Sequence, residues 1–322
     1  MNRLLRAMAL SGMMIAAGAA AAQAFPSKPV RIIVPFPPGA ATDILGRLLA
    51  QKYSEAWGHP AVVENRPGAG SLQAAETSAR SPADGHTMFM GHIGTHGANP
   101  ALYAKLPYDP IRDFAPISLL VTIPNLLAVH PSVPASNVRE LIELARSKPG
   151  ALNIGSPGIG TSAHLIIALF KTTTGVDLTH VPFKGSVGSM QALTTGEIQV
   201  AFDTVTTLMP QARAGKVKVL AITSKQRSPL APEVAPLDEL GVPGFDVATW
   251  FALFVPAGTP QPVVDKLNED TVRILRVNEI VDRLNTLGMN IVGSSSTELA
   301  AYVASEIARW GKLVREANIR IE

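Results

Sequence analysis

The chain has 322 residues, of which 47% are hydrophobic and only 16% charged, with 28 Lys and Arg against 25 Asp and Glu. That length suits about two domains or one large α/β unit and buries a core without covalent staples. Cysteine is absent, which excludes disulfides, thiolate chemistry, Cys-ligated metal centres and a lipoprotein anchor. Setting aside Arg3 and Arg6 leaves 26 basic against 25 acidic side chains, too even a balance for a face that neutralises nucleic-acid phosphates.

Residues 1–24 read as a secretory signal. Arg3 and Arg6 form its positive end, Ala7 to Ala21 an apolar run with Met13, Met14 and Ile15 at its centre, and Ala22-Gln23-Ala24 the small-x-small cleavage pattern. The run is rich in weakly apolar Ala and shorter than the ~20 strongly apolar residues of a membrane span. The expectation is an exported, periplasmic protein beginning near Phe25.

The next element is a strand, Val30 to Val34, followed by the loop Pro35-Phe36-Pro37-Pro38-Gly39-Ala40 and a helix with Ile44, Leu45, Leu48 and Leu49 on one face, capped by Thr42 or Asp43. Ala61 to Val63 is a second strand, Asn65 to Gly70 a turn, Ser71 to Ala79 a helix, and Thr87 to Met90 a third strand running into Gly91-His92-Ile93-Gly94-Thr95-His96. The alternation predicts a parallel sheet with helices on both faces. It then restarts with a strand at Asn125 to Val129, a helix at Ser136 to Ala145, and strands at Leu152 to Ile154, His180 to Phe183, Ile198 to Phe202 and Val217 to Ile222. A late strand, Phe251 to Val255, precedes helices at Val263 to Val277, Val281 to Leu287 and Thr297 to Ala317. Two α/β lobes are expected, with the C-terminal part returning to the first.

A strand–glycine loop–helix junction recurs. One runs through Pro38-Gly39-Ala40-Ala41-Thr42-Asp43, the other through Gly155-Ser156-Pro157-Gly158-Ile159-Gly160-Thr161-Ser162. The first amides of a helix lack intrahelical partners and the macrodipole's positive end stands behind them, so such a junction suits an anion. A carboxylate there gains charge-assisted hydrogen bonds of about 1.5–3 kcal/mol each. The same pattern also serves as an ordinary α/β turn with a cap; its occurrence in both lobes favours the anion site. Gly155 and Gly160 have the spacing of a phosphate loop, but Thr161-Ser162 stands where that loop needs Lys then Ser or Thr, so ATP is disfavoured; the glycine order disfavours NAD too. No G-x-S-x-G elbow occurs. His92 and His96 have the spacing of a zinc helix, but Ile93 stands where the acid belongs, so no metal site is expected. His164 reads as a ligand donor or a packing residue, Asp203 as a ligand acceptor beyond a strand's carboxyl end or a cap, and Lys184 as a ligand partner or a solvated lysine.

Taken together, several segments resemble the periplasmic solute-binding receptors of tripartite tricarboxylate transporters, the Bug family. They are Val34 to Asp43, Val63-Glu64-Asn65-Arg66-Pro67-Gly68-Ala69-Gly70, Pro82 to Thr87, Leu106-Pro107-Tyr108-Asp109-Pro110, Gly155 to Gly160, His180-Val181-Pro182-Phe183-Lys184-Gly185 and Val255 to Pro260. The resemblance spans essentially the whole chain after the leader. It implies an α/β, two-lobed type II periplasmic binding-protein fold, each lobe a mixed sheet flanked by helices and joined by two crossover strands. Lobe 1 would comprise residues 25–122 and 253–322, lobe 2 residues 123–252. It also implies a cleft lined by Phe36, Gly39, Ala40, Thr42 and Asp43, by Gly94 and Thr95, by Ser156, Gly160, Thr161 and Ser162, and by Lys184, Gly185 and Asp203. Two departures stand out: Ala40 replaces a second glycine, and Phe183 replaces the commoner tyrosine.

The expected function is capture of a small organic carboxylate by a monomer that closes around it and delivers it to integral membrane permease subunits. No catalytic residue, cofactor or metal is expected. The alternatives are a ligand-loaded partner of a sensor kinase and, less favoured, a secreted enzyme acting on a carboxylate. A cytoplasmic regulator conflicts with the leader.

Overall fold

The computed structural model describes residues 25–317 and residue 319, so the expected leader lies outside the described residues. The strands are β1 (Val30–Val34), β2 (Ala61–Asn65), β3 (Thr87–His92), β4 (Phe114–Val129), β5 (Asn153–Ser156), β6 (Thr179–Pro182), β7 (Val200–Thr204), β8 (Lys218–Ile222), β9 (Ala248–Pro256) and β10 (Asn290–Ile291). The helices are α1 (Ala41–Trp57), α2 (Leu72–Ala79), α3 (Asn99–Leu102), α4 (Val138–Ser147), α5 (Ser162–Thr174), α6 (Ser186–Thr195), α7 (Val205–Arg213), α8 (Gln261–Leu275), α9 (Asn278–Thr286) and α10 (Ser296–Glu316).

One long strand organises two sheets. The first has the order β2-β1-β3-β9-β4-β10, with β1, β2 and β3 parallel and β9 antiparallel to both neighbours. The second has the order β8-β4-β7-β5-β6, with β5, β6 and β7 parallel. The changeover falls within β4: Pro124 pairs with Ala248 of β9, and the next residue, Asn125, pairs with Thr204 of β7. Proline lacks the amide that a ladder needs, so it belongs at such an interruption. Pro116 likewise sits at a register shift against β9. At the changeover Asn125 donates from Nδ2 to Thr249 Oγ1 at 3.0 Å, while its backbone N–H donates to Thr223 Oγ1 at 3.0 Å.

Alternate residues of the strands enter two separate apolar cores, as the period of a pleated strand requires. Ile33, Phe89, Leu127, Phe202 and Trp250 enter one; Ile32, Met88, Leu126, Ala128 and Phe251 enter the other. Both faces of the sheets are therefore covered. The C-terminal helices pack back onto the first sheet's layers. Trp57 of α1 donates to Asp270 of α8 at 2.7 Å, and Trp250 of β9 and Trp310 of α10 both donate to the buried Glu306 carboxylate at 2.8 Å.

The fold is the expected two-lobed α/β class, with differences in detail. β4 begins at Phe114 rather than near Asn125, because its two prolines disguise a strand whose apolar residues serve two faces. Ala248 to Ala252 pair in the first sheet. Helices α6, rich in Ser, Thr, Gly and Val, and α7, which starts Val-Thr-Thr and holds Pro210 inside, are composed of weak helix formers and are not expected from the sequence. Among the described residues no helix is long and apolar enough to cross a membrane.

Candidate functional site

The first glycine loop is built around a carboxylate that faces inward. Gly39 has φ +83°, a conformation glycine adopts without strain. Its N–H donates to Asp43 Oδ2 at 2.9 Å, and Arg47 Nε donates to the same oxygen at 2.9 Å. Asn65 Nδ2 donates to Asp43 Oδ1 at 2.8 Å and to the Phe36 carbonyl at 3.0 Å. Burial pushes the Asp43 pKa up, but Arg47, the Gly39 amide and Asn65 outweigh it and hold the carboxyl below its usual range. Asp43 therefore shapes the loop from within. Neither Thr42 nor Asp43 caps α1: the N-cap is Ala40, which has no side-chain oxygen, so no side chain occupies the first-turn amides there. Thr42 is buried beside them.

β3 delivers a second element of the same lobe. His92 lies 4.9 Å from the Phe36 ring, centroid to centroid. Its Nδ1 accepts from Gly94 N–H at 3.0 Å, so the neutral ring carries its proton on Nε2 and donates to Ser71 Oγ at 3.1 Å. Burial pushes the His92 pKa down to about 3. Both ring nitrogens of His92 are thus engaged within the protein. Ser71 is held at φ +68°, a costly conformation for a side chain that is not glycine. Thr95 is fully buried and its hydroxyl is spent within the turn, on the His92 backbone and His96 Nδ1.

In the second glycine loop, Gly158 and Gly160 have φ +145° and +75°. Thr161 Oγ1 donates to the Gly158 carbonyl at 2.7 Å and accepts from His164 N–H, capping α5; buried Ser162 opens that helix. The loop is propped by two stacked imidazoles with centroids 4.7 Å apart: His164 Nδ1 accepts from Gly160 N–H at 3.2 Å, and His180 Nε2 pairs with Ser156 Oγ at 2.7 Å. Burial pushes both pKa values down to about 4. These rings also line a cavity of about 480 Å³ beside Lys171, Ala317 and Ile319, which includes neither Gly94 nor Gly160 in its walls.

The third loop is tied to the second. Phe183 N–H donates to the Ser156 carbonyl at 3.0 Å and Gly185 N–H to the Pro157 carbonyl at 2.8 Å. Ser186 Oγ then donates to Asp203 Oδ1 at 3.2 Å. Burial pushes the Asp203 pKa up to about 6. Lys184 is exposed and pairs with neither Asp203 nor another acid among the described residues.

The two lobes meet at a pair of glycines. A Cβ on Gly94 would stand 2.4 Å from the Gly160 carbonyl oxygen, a distance no side chain tolerates. Phe36, His92 and Gly94 thus lead from the first glycine loop to the second, while Ser156, Gly185 and Asp203 extend the chain of contacts on the far side. Asn99 joins them, for a Cβ on Gly160 would lie 3.4 Å from its Oδ1, and Asn65, Ser71, His92 and Asn99 are the participants not expected from the sequence. Asn65 stands in a noted turn, and His92 is weighed in the sequence only for a zinc spacing that Ile93 argues against; Ser71 and Asn99 carry no signal in the sequence.

The model of the tripartite tricarboxylate transporter family receptor matches residues 45–319. The protein encoded in the tcbD-tcbE intergenic region of Pseudomonas sp. (strain P51) is 37% identical over 297 residues, covering 92% of this chain and 88% of its own. Protein BugT of Bordetella pertussis is 32% identical over 98% of this chain and 99% of its own. Among solved structures, R. palustris Rpa4515 with adipate is 36% identical with a TM-score of 0.87, covering 92% of this chain and 100% of that one. MatC from Rhodopseudomonas palustris with bound malate is 37% identical with a TM-score of 0.84, covering 90% of this chain and 100% of that one. Fold, matched length and identity agree: this chain belongs to the tripartite tricarboxylate transporter receptor family.

Proposed function

We propose that the protein is an exported, non-enzymatic receptor that captures a small organic carboxylate between its lobes and hands it to a membrane permease. The observation that supports this reading is the contact of Gly94, in the turn whose His92 ring lies against Phe36 of the first glycine loop, with Gly160 of the second. The α1 start, with no capping side chain, offers first-turn amides to an anion. The α5 start adds the Gly158–Ser162 turn. Relatives solved with adipate and with malate support a carboxylate as the ligand.

In this reading residues 1–24 direct export. The lobes divide within β4 between Pro124 and Asn125 and again just before β9 at Ala248, and they close because the ligand touches both lobes only in the closed state. Ligand contacts come from Phe36, Gly39, Ala40 and Thr42 on one side and from Ser156, Gly160, Thr161, Ser162 and Gly185 on the other, with Asp43 holding the first loop in shape. Micromolar affinity requires about −8 kcal/mol, within reach of a few charge-assisted bonds after the costs of association.

A thermal-shift screen of organic acids, sugars and metal salts tests this. A carboxylate at 100 times its dissociation constant stabilises by about 2.7 kcal/mol. A transition moved by a sugar or a metal and by no carboxylate overturns the reading.

A further inference from the structure

Behind the second glycine loop, α5 turns one stripe of side chains toward the cavity of about 480 Å³. His164, Ile167, Ala168, Lys171, Thr172 and Gly175 recur at the three- and four-residue spacing of a single helix face. Val176 and His180 continue the wall, and Ala317 and Ile319, past the end of α10, close it from the other side. Ile319 N–H donates to the Val314 carbonyl at 3.0 Å, which ties it there. The volume is that of a small-molecule pocket, which runs from roughly 300 to 1,000 Å³.

The walls are mostly apolar, with donors set into them. His164 Nδ1 accepts from Gly160 N–H at 3.2 Å, so the neutral ring carries its proton on Nε2. That second N–H has no acceptor among the described residues. Lys171 Nζ donates to the Leu178 carbonyl at 2.6 Å and stands 3.4 Å from Asp177 Oδ1. An ammonium has three hydrogens, so one remains to offer, and Asp177 is 65% exposed, so water screens the charge it sets against Lys171. Among the described residues no Asp or Glu lines the cavity.

We propose that this cavity is a second ligand site, separate from the seam at Gly94 and Gly160, for a small amphipathic carboxylate: an apolar body of about benzoate's size packs on Ile167, Val176 and Ile319, and its carboxylate accepts from His164 Nε2–H and Lys171 Nζ. Lys171 repels a cation, and a neutral apolar molecule leaves both donors without acceptors. Through His164 the site acts on the loop in front of it. A carboxylate held on Nε2–H fixes the tautomer whose Nδ1 accepts from Gly160, so an occupied cavity steadies the second glycine loop without touching it.

Isothermal titration of the mature protein with benzoate tests the proposal, beside acetate (the charge without the body) and benzyl alcohol (the body without the charge). Benzoate is expected to bind at least tenfold more tightly than either, since charge-assisted bonds and apolar contact are both needed. It is also expected to shift the ring-nitrogen signals of His164 in histidine-labelled protein and to slow amide exchange at Gly160. Thr172 lines the cavity from an exposed position. Thr172→Trp is expected to fill the space and abolish benzoate binding with the circular dichroism unchanged, and Lys171→Met to weaken that binding at least tenfold. Should Thr172→Trp fail to fold, Lys171→Met and the His164 signals decide. No benzoate binding at millimolar concentration, benzyl alcohol binding as tightly, or benzoate binding that the variants leave unchanged overturns the proposal. Benzoate lodged against the first glycine loop gives the last of these results, with His92 perturbed in place of His164; it removes the second site and leaves the carboxylate reading above standing.

Discussion

The two glycine loops share one pattern, strand then glycine then helix, yet they are braced by different chemistry. The first is held by charge. Asp43 gathers the Gly39 amide, Arg47 and Asn65 around one buried carboxylate, and no side chain caps its helix. The second is held by neutral groups: the Thr161 cap and the stacked His164 and His180 rings behind Gly160 and Ser156. A loop shape is therefore reached by more than one set of supports, and each set fails under a different stress.

The contact between the Gly94 turn of the first lobe and the second glycine loop is the most sensitive to change. Replacing Gly94 by valine places a side chain where the Gly160 carbonyl stands, 2.4 Å from the first carbon. The expected result is a fall in carboxylate affinity of a hundredfold or more with the circular dichroism of a folded protein, because the lobes stay apart. Unchanged affinity would mean that this turn and the second glycine loop do not need to meet.

Next in size is the brace of the first loop. Asp43→Ala frees the Gly39 amide and leaves Arg47 and Asn65 without their acceptor. Arg47 is more than half exposed, so screening lessens its share, and a loss of roughly 1–3 kcal/mol in denaturant unfolding is expected. A comparable loss of stability is not expected from Arg47→Gln, which keeps the amide and Asn65 bonds.

Acid separates the two braces. His164 and His180 have native pKa values of about 4, below the unfolded value of 6.5. Their support for the fold is complete above pH 6.5 and withdrawn as the pH falls toward 4. Asp43, held below its unfolded value of 3.8, keeps its support until lower pH. Asp203 has the opposite slope: raised from 3.8 to about 6, it favours the fold most below 3.8 and loses that contribution as the pH rises through 6. Hydrogen exchange at pH 5 should therefore show loss of protection at Gly160 before Gly39. His164→Asn with His180→Gln, which mimic the accepting Nδ1 and the bonded Nε2, should flatten that response.

The smallest expected effect is at the cap. Thr161→Ala removes one side-chain acceptor from α5 and costs about 1 kcal/mol, with a modest loss of affinity read by titration. Thr161→Ser keeps the oxygen and should be nearly neutral.

Much of the architecture is legible in the sequence because each lobe repeats strand, glycine turn and helix with strong apolar periods, as at Val30 to Leu49 and Leu152 to Lys171. The long crossover strand is not, because Pro116 and Pro124 break the local pattern that a strand shows, and only pairing with β9 explains them. Of the site, the glycine loops and Asp203 are readable from their places beyond strand ends. The inward turn of Asp43, the burial of the Thr95 hydroxyl and the imidazole props depend on partners 22 to 24 residues away or on a neighbouring turn. Asn99 and Ser71 matter only through the three-dimensional meeting of Gly94 and Gly160, and no local spacing announces that.

A crystal structure of the mature protein grown with a tight-binding carboxylate is the most direct test. The account predicts the ligand carboxylate within hydrogen-bonding distance of the first-turn amides of α1 and in contact with the Gly158 to Ser162 turn of the opposite lobe. A ligand seated instead in the cavity beside His164, Lys171 and His180, or touching one lobe alone, would contradict it.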